Sequence, residues 1–154
     1  PQGPVVDADW LADHLDDVVV VDASIMGERG AATGIPGARR FDLDGQLSDQ
    51  EADIPHTMLC ADDFAQRLGE LGIGDETVVV AYDRQGLFSS ARAWWMLRAA
   101  GVGTPYVLDG GLPAWIASPV VIQGMRSLLA TECRNSGSTM GQAIGCISSS
   151  VARF

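Results

Sequence analysis

The chain has 154 residues, 47% of them hydrophobic, which suits one globular domain with a proper core and excludes a disordered polymer. Its formal charge is −10, with 20 acidic residues against ten cations, all of them arginine; such a surface repels phosphate backbones and anionic bilayers, so neither nucleic acid nor a membrane is expected as a partner. No apolar run nears the roughly 18 residues of a membrane span.

The opening residues Pro1-Gln2-Gly3-Pro4 lack a basic start and an apolar stretch, so no secretory signal is visible. Without an initiator Met, the sequence is compatible with a piece of a longer chain. Asp7 is a good N-cap, and Trp10, Leu11, His14 and Leu15 follow at helical spacing. Val18-Val19-Val20-Val21 is an unbroken β-branched run ending in Asp22, the pattern of a strand buried on both faces. The segment 23–55 is rich in Gly, Asp and Pro and reads as loop around a short Arg40-Phe41-Asp42 piece. Ala61-Asp62-Asp63 is expected to cap a second helix with Phe64, Leu68 and Leu71 on one apolar face and Gly72 as its stop.

A second strand is predicted over 77–82, again a continuous apolar run. The Gly-containing loop 83–88 leads into a third helix over 89–100, closed by Gly101. Tyr106-Val107-Leu108 forms a third strand that stops at Asp109-Gly110-Gly111, and a short helix over 112–117 carries Trp115. Helices alternating with short buried strands imply an α/β fold with a parallel sheet covered on both faces. Trp94 and Trp95 are expected to fill the core, and Arg92 and Arg98 to pair with some of the many Asp residues.

Composition changes near Ser118-Pro119. Up to Ser118 there are 19 acidic residues and 7 Arg, whereas 119–154 holds 1 acidic residue and 3 Arg and is rich in Ser and Gly. A domain over 1–118 is therefore expected. The tail 119–154 reads as a linker toward a second domain, a disordered end, or out-of-frame sequence.

Three cysteines, Cys60, Cys133 and Cys146, make neither an even disulfide framework nor a CxxC metal knuckle. His14 and His56 offer no metal-ligand spacing. No metal or other cofactor is expected, and a reducing, cytoplasmic setting is the default. No G-x-G-x-x-G follows either apolar strand run, so a dinucleotide-binding turn is missing.

The order of several short motifs resembles the N-terminal domain of two-domain thiosulfate and 3-mercaptopyruvate sulfurtransferases. These are Val19-Val20-Val21-Asp22-Ala23, Ile35-Pro36-Gly37-Ala38-Arg39-Arg40-Phe41-Asp42-Leu43-Asp44 and Pro55-His56-Thr57-Met58-Leu59, then Leu71-Gly72-Ile73 and Val79-Val80-Ala81-Tyr82-Asp83. Arg92-Ala93-Trp94-Trp95-Met96-Leu97-Arg98 and Leu108-Asp109-Gly110-Gly111-Leu112-Pro113-Ala114-Trp115 complete the series. The resemblance implies a rhodanese-like three-layer fold, with a short central parallel sheet of about five strands and helices on both faces. It also implies a second rhodanese domain, truncated in 119–154 or supplied in trans, and a small sulfur donor such as thiosulfate or 3-mercaptopyruvate.

In active rhodanese domains, the resemblance implies, a Cys in the loop after the second apolar strand becomes a persulfide and passes its outer sulfur to a thiophilic acceptor. A loop that opens a helix turns several backbone N–H groups inward and adds the partial positive charge of the helix N-terminus. That environment lowers a thiol pKa. Here the position is Asp83, followed by Arg84-Gln85-Gly86-Leu87-Phe88-Ser89. A carboxylate accepts the same bonds but cannot carry sulfane sulfur, so this loop is expected to be catalytically silent. Phosphatases of related fold need the same missing Cys.

Other positions depart from the family pattern. Gly34 stands where a His often precedes Ile-Pro-Gly-Ala, and Cys60 where Pro precedes the second helix. Cys60 is expected to be a buried or inert thiol. Cys133, heading Cys133-Arg134-Asn135-Ser136-Gly137-Ser138-Thr139 before a helix start over 140–144, is the alternative nucleophile. Too few residues follow it to complete another αβ layer. Three functions stay open: the supporting half of a sulfurtransferase, with an apolar face left uncovered near Asp83 and the 35–41 turn; a stand-alone binding or regulatory domain; and a single-domain enzyme using Cys133.

Overall fold

The computed structural model describes residues 1, 3–25 and 34–124. Within them, β-branched and aliphatic runs become five strands: β1 (Val5–Val6), β2 (Val19–Asp22), β3 (Arg39–Arg40), β4 (Val78–Tyr82) and β5 (Thr104–Leu108). Helices connect or follow them: α1 (Ala8–Asp13), α2 (Ala61–Glu70), α3 (Ser90–Ala99) and α4 (Gly111–Ala117), and the chain is helical again over 119–124. All strand pairs are parallel, in the order β1-β5-β4-β2-β3. This is the five-stranded α/β sheet that the resemblance implies.

Why β2 and β4 read as continuous apolar runs is now plain. Side chains alternate across a strand, so Val21, Val79 and Ala81 enter one core with Phe64, Leu68, Met96 and Leu97 from α2 and α3. Val20, Val80 and Tyr82 enter the other with Leu11, Leu112 and Trp115 from α1 and α4. Both faces are covered, so neither has a polar side to display. Three layers result.

Several boundaries move for local reasons. The Asp7 side chain accepts from the Trp10 N–H at 2.7 Å, as an N-cap should, but α1 closes at Asp13 with His14 as its C-cap. The N-cap of α2 is Cys60 and makes no side-chain cap bond; Asp62 and Asp63 lie in the first turn, where the helix dipole favours them. β5 starts earlier than expected, at Thr104, and its Pro105 gives its carbonyl to the Trp94 indole N–H at 2.9 Å. The two-residue β1, too short for a periodic signal, escapes the sequence reading. After α4, Ser118 accepts through Oγ from the Val121 N–H at 3.3 Å, and Val121 packs against the α1/α4 core.

The tryptophan pair needs correcting. The buried side of α3 is built from Ser90, Ala93, Met96 and Leu97. At 100° per residue Trp95 falls nearly opposite that stripe and is 49% exposed, while Trp94 flanks it half-buried. The arginine expectation also fails. Arg92 donates to the His56 carbonyl at 3.0 Å and lies over the Trp95 ring at 4.8 Å, and Arg98 donates to the Gly103 carbonyl at 3.5 Å. Backbone carbonyls, not carboxylates, receive them.

Candidate functional site

The strand order brings chemistry to one place. β2 sends its chain to β3 on one side, and its neighbour β4 sends its chain to β5 on the other. A crevice opens beyond the carboxyl ends of two such strands, and ligands of open α/β sheets sit there. Asp22 ends β2 and Ser24 follows it into this position; Tyr82 ends β4, with Asp83 and Arg84 following.

Asp83 is 1% exposed, and its carboxylate is the hub of the loop 83–89. Oδ1 accepts from the Gln85 N–H at 2.9 Å. Oδ2 accepts from the N–H groups of Phe88, Ser89 and Ser90 at 2.7, 3.0 and 2.9 Å, and from the Ser90 hydroxyl at 2.7 Å. Two of these N–H donors, Ser89 as N-cap and Ser90 as first residue, open α3, whose N-terminal N–H groups have no helical partner. Burial by itself pushes the Asp83 pKa up; the bonds from Ser90, Phe88 and Gln85 outweigh it and hold the carboxyl below the ordinary value.

A second loop locks the first. Gly86 sits at φ +112°, and Gly110 and Gly111 at φ +66° and +55°. The Leu112 N–H donates to the Asp83 carbonyl at 2.9 Å. A Cβ on Gly111 would stand 2.3 Å from that same carbonyl oxygen and 2.9 Å from the Gly86 carbonyl oxygen. Only glycine permits this approach.

Beside the cradle lies a buried charge network. Arg84, its side chain 7% exposed, donates through Nη2 to Asp22 Oδ2 at 3.1 Å, and its N–H donates to Ser24 Oγ at 3.2 Å. The Tyr82 hydroxyl donates to Asp22 Oδ2 at 3.2 Å and accepts from the Ile35 N–H at 3.3 Å. Arg40 approaches Asp22 at 3.7 Å and Asp42 at 3.5 Å, and also donates to the Ser24 carbonyl. Burial and the Asp22 charge push the Tyr82 pKa to about 12. A Cβ at Gly34 would lie 3.0 Å from the Tyr82 hydroxyl, so a larger residue there would press on this network.

The expected loop residues therefore fall into two groups. Asp83, Gln85, Phe88 and Ser89 build the cradle, with Gly86 as its turn. Arg84 faces the Asp22 network, and Leu87 and Phe88 turn their side chains outward at 59% and 58% exposure. Sequence reasoning stopped at Ser89 and missed Ser90, which supplies two donors; a Ser-Ser pair at a helix start was the available signal. It also passed over Asp22 and Tyr82 as strand ends. Cys60, expected to be a buried or inert thiol, is exposed, with its Sγ 3.2 Å from Asp63 Oδ2. Of the face expected to be uncovered near Asp83 and the 35–41 turn, Leu87 and Phe88 are exposed beside Asp83, while in the turn Ile35 and Phe41 are buried and Gly37 and Arg39 are exposed. Cys133, Cys146 and the helix start over 140–144 lie outside the described residues.

The rhodanese-like domain model matches residues 7–118. A thiosulfate/3-mercaptopyruvate sulfurtransferase of Arabidopsis thaliana is 40% identical over 134 residues, covering 80% of this chain and 35% of the relative. The 3-mercaptopyruvate sulfurtransferase of Escherichia coli K12 is 37% identical over 129 residues, covering 77% and 46%. The crystal structure of the Escherichia coli 3-mercaptopyruvate sulfotransferase SseA superposes with a TM-score of 0.67 at 38% identity, over 75% of this chain and 48% of that one. The Leishmania major 3-mercaptopyruvate sulfurtransferase gives 0.66 at 28%, over 76% and 36%. This chain spans between a third and a half of these curated relatives. With the five-stranded parallel sheet, these matches place the chain in the rhodanese-like domain family.

Proposed function

We propose that this chain is the supporting half of a sulfurtransferase that uses thiosulfate or 3-mercaptopyruvate, with Asp83 standing where an active rhodanese loop holds its persulfide-forming Cys. The observation that carries the reading is the Asp83 carboxylate itself, which takes five hydrogen bonds within its own loop and opening helix turn. The anion that such a loop stabilises is already present and covalently fixed. An oxygen carboxylate offers no thiolate to accept sulfane sulfur, so the acceptor Cys belongs to a second rhodanese domain. In this reading 1–118 is the domain, 119–154 leads toward its partner, no metal or other cofactor takes part, and the setting is cytoplasmic.

The test is sulfur transfer to cyanide from thiosulfate and from 3-mercaptopyruvate, followed as thiocyanate. The 154-residue chain and its Cys133→Ser variant are both expected to be inactive. Turnover in the parent that vanishes in Cys133→Ser would overturn the proposal in favour of a single-domain enzyme. Reading the coding sequence past Phe154 in all three frames gives the complementary check, since absence of a second rhodanese-like domain counts against it.

A second reading, a stand-alone binding or regulatory domain, is favoured by the outward turn of Leu87 and Phe88 beside a closed cradle. A native pull-down that recovers no specific partner would set it aside.

A further inference from the structure

At the end of the sheet opposite Asp83 the chain forms a second concavity. The turn 73–77 runs into β4 and residues 102–103 run into β5, so both lie at the amino ends of those strands. There α2 and the end of α3 leave a cleft of about 200 Å³. Phe64, Leu68, Ile73 and Val102 wall it as part of the α2/α3 core, and the short side chains of Ala65 and Ala99 stand exposed at its mouth. Backbone bonds hold the walls in place. The Ile73 N–H donates to the Leu68 carbonyl at 2.9 Å, and the Val102 N–H to the Leu97 carbonyl at 3.0 Å. The Gly74 N–H donates to Thr77 Oγ1 at 2.9 Å, and the Gly103 N–H to the Asp75 carbonyl at 2.8 Å, which ties the two strand approaches together. A ligand entering a preformed cleft of this kind pays little for ordering it.

Size and charge together define what fits. An apolar cavity of about 150 Å³ accepts benzene, so this cleft has room for one ring with a short side chain. Its only charged lining residue is Asp75, which is exposed and whose carboxylate makes no hydrogen bond or ion pair among the described residues. Arg98, next to Ala99 in sequence, gives its hydrogen bond to the Gly103 carbonyl instead. An anion of the same size would meet Asp75, with Glu76 beside it, on a chain of net charge −10. A cation is complementary to both the local carboxylate and the whole surface.

We infer that this cleft binds a small amphipathic amine, with an aromatic or branched aliphatic group held between α2 and the end of α3 and an ammonium group on the Asp75 carboxylate. The site lies at the other end of β4 from the Asp83 loop. It is independent of the sulfurtransferase reading and stands or falls without it.

The probe is phenethylamine, titrated into the isotope-labelled chain and followed by amide chemical shifts in NMR. Saturable shifts are expected at Ala65, Ile73, Asp75 and Gly103, with a Kd of about 1–5 mM. Phenylacetate, an anion of similar size, should bind about tenfold more weakly. Asp75→Asn keeps the backbone carbonyl that Gly103 uses, and should weaken the amine about three- to fivefold without weakening phenylacetate. Ala99→Leu, at the mouth, should abolish saturation by the amine. A parent without saturable shifts at these amides overturns the site. Equal binding of amine and anion, or an Asp75→Asn variant with unchanged amine affinity, overturns the role of the carboxylate and with it the ligand class inferred.

Discussion

Replacing Asp83 by Ala tests whether the cradle is held shut by its own carboxylate. The substitution removes the acceptor for five hydrogen bonds. The Gln85 and Phe88 N–H groups are only part-buried and rehydrate. The Ser89 N–H, the Ser90 N–H and the Ser90 hydroxyl are buried, and water reaches them poorly. An orphaned buried donor costs about 1–3 kcal/mol, and bonds to a charged group sit at the upper end. Relief of the desolvated charge offsets part of this, leaving a loss of about 3–5 kcal/mol. At a slope of about 2 kcal/mol per molar urea, the unfolding midpoint should fall by roughly 2 M. Asp83→Asn should lose about half as much, because its amide oxygen can keep the Oδ2 position while its NH2 opposes the Gln85 N–H. Since the folded pKa lies below the ordinary value, this stabilisation is complete above about pH 4 and is lost as pH falls through the folded value. Urea unfolding between pH 7 and pH 3 reads both effects. An Ala variant within about 1 kcal/mol of the parent, or an Asn variant less stable than Ala, would refute the reasoning.

Three further outcomes follow from the same geometry. Asp83→Cys should titrate, by its thiolate ultraviolet absorbance, well below the ordinary thiol value of about 8.5, because the same N–H groups favour the anion; a midpoint at or above that value rules out a functional thiolate cradle. Tyr82→Phe should cost about 1 kcal/mol at neutral pH by removing the bonds to Asp22 and Ile35. The parent, with Tyr82 raised to about 12, should also lose stability between about pH 10 and 12, where the unfolded chain ionises first, and thermal melts of the Phe variant should lack that component. Gly111→Ala should lower stability by about 3 kcal/mol or more, since both its φ of +55° and its 2.3 Å approach to the Asp83 carbonyl resist a side chain. Gly37→Ala has φ +72° but open space around its Cβ and should cost only about 1 kcal/mol, so melts that rank the two equally would contradict the locking of the loops.

The central strands were legible because burial on both faces leaves a run of Val and Ala that no other element explains. The cradle's location was legible through the strand-loop-helix order around Asp83. What the sequence hid was long-range. Asp22 and Arg84 are 62 positions apart, and nothing local says that they meet across the ends of β2 and β4. Trp95 misled for a different reason: large aromatics are usually buried, but its place on the helix is fixed by the phase of Ala93, Met96 and Leu97.

The two acidic side chains at the crevice are neutralised by different partners. Asp83 is neutralised by N–H dipoles and carries its charge inside the loop, so the donors of Gln85, Phe88, Ser89 and Ser90 are already taken. Asp22 is neutralised by arginine: Arg84 lies 3.1 Å and Arg40 3.7 Å from its carboxylate. In the proposed reading, both devices lower binding capacity at the place where an open α/β sheet normally binds its ligand. In that reading the domain contributes shape and surface there, and the exposed Leu87 and Phe88 beside the loop are what it presents.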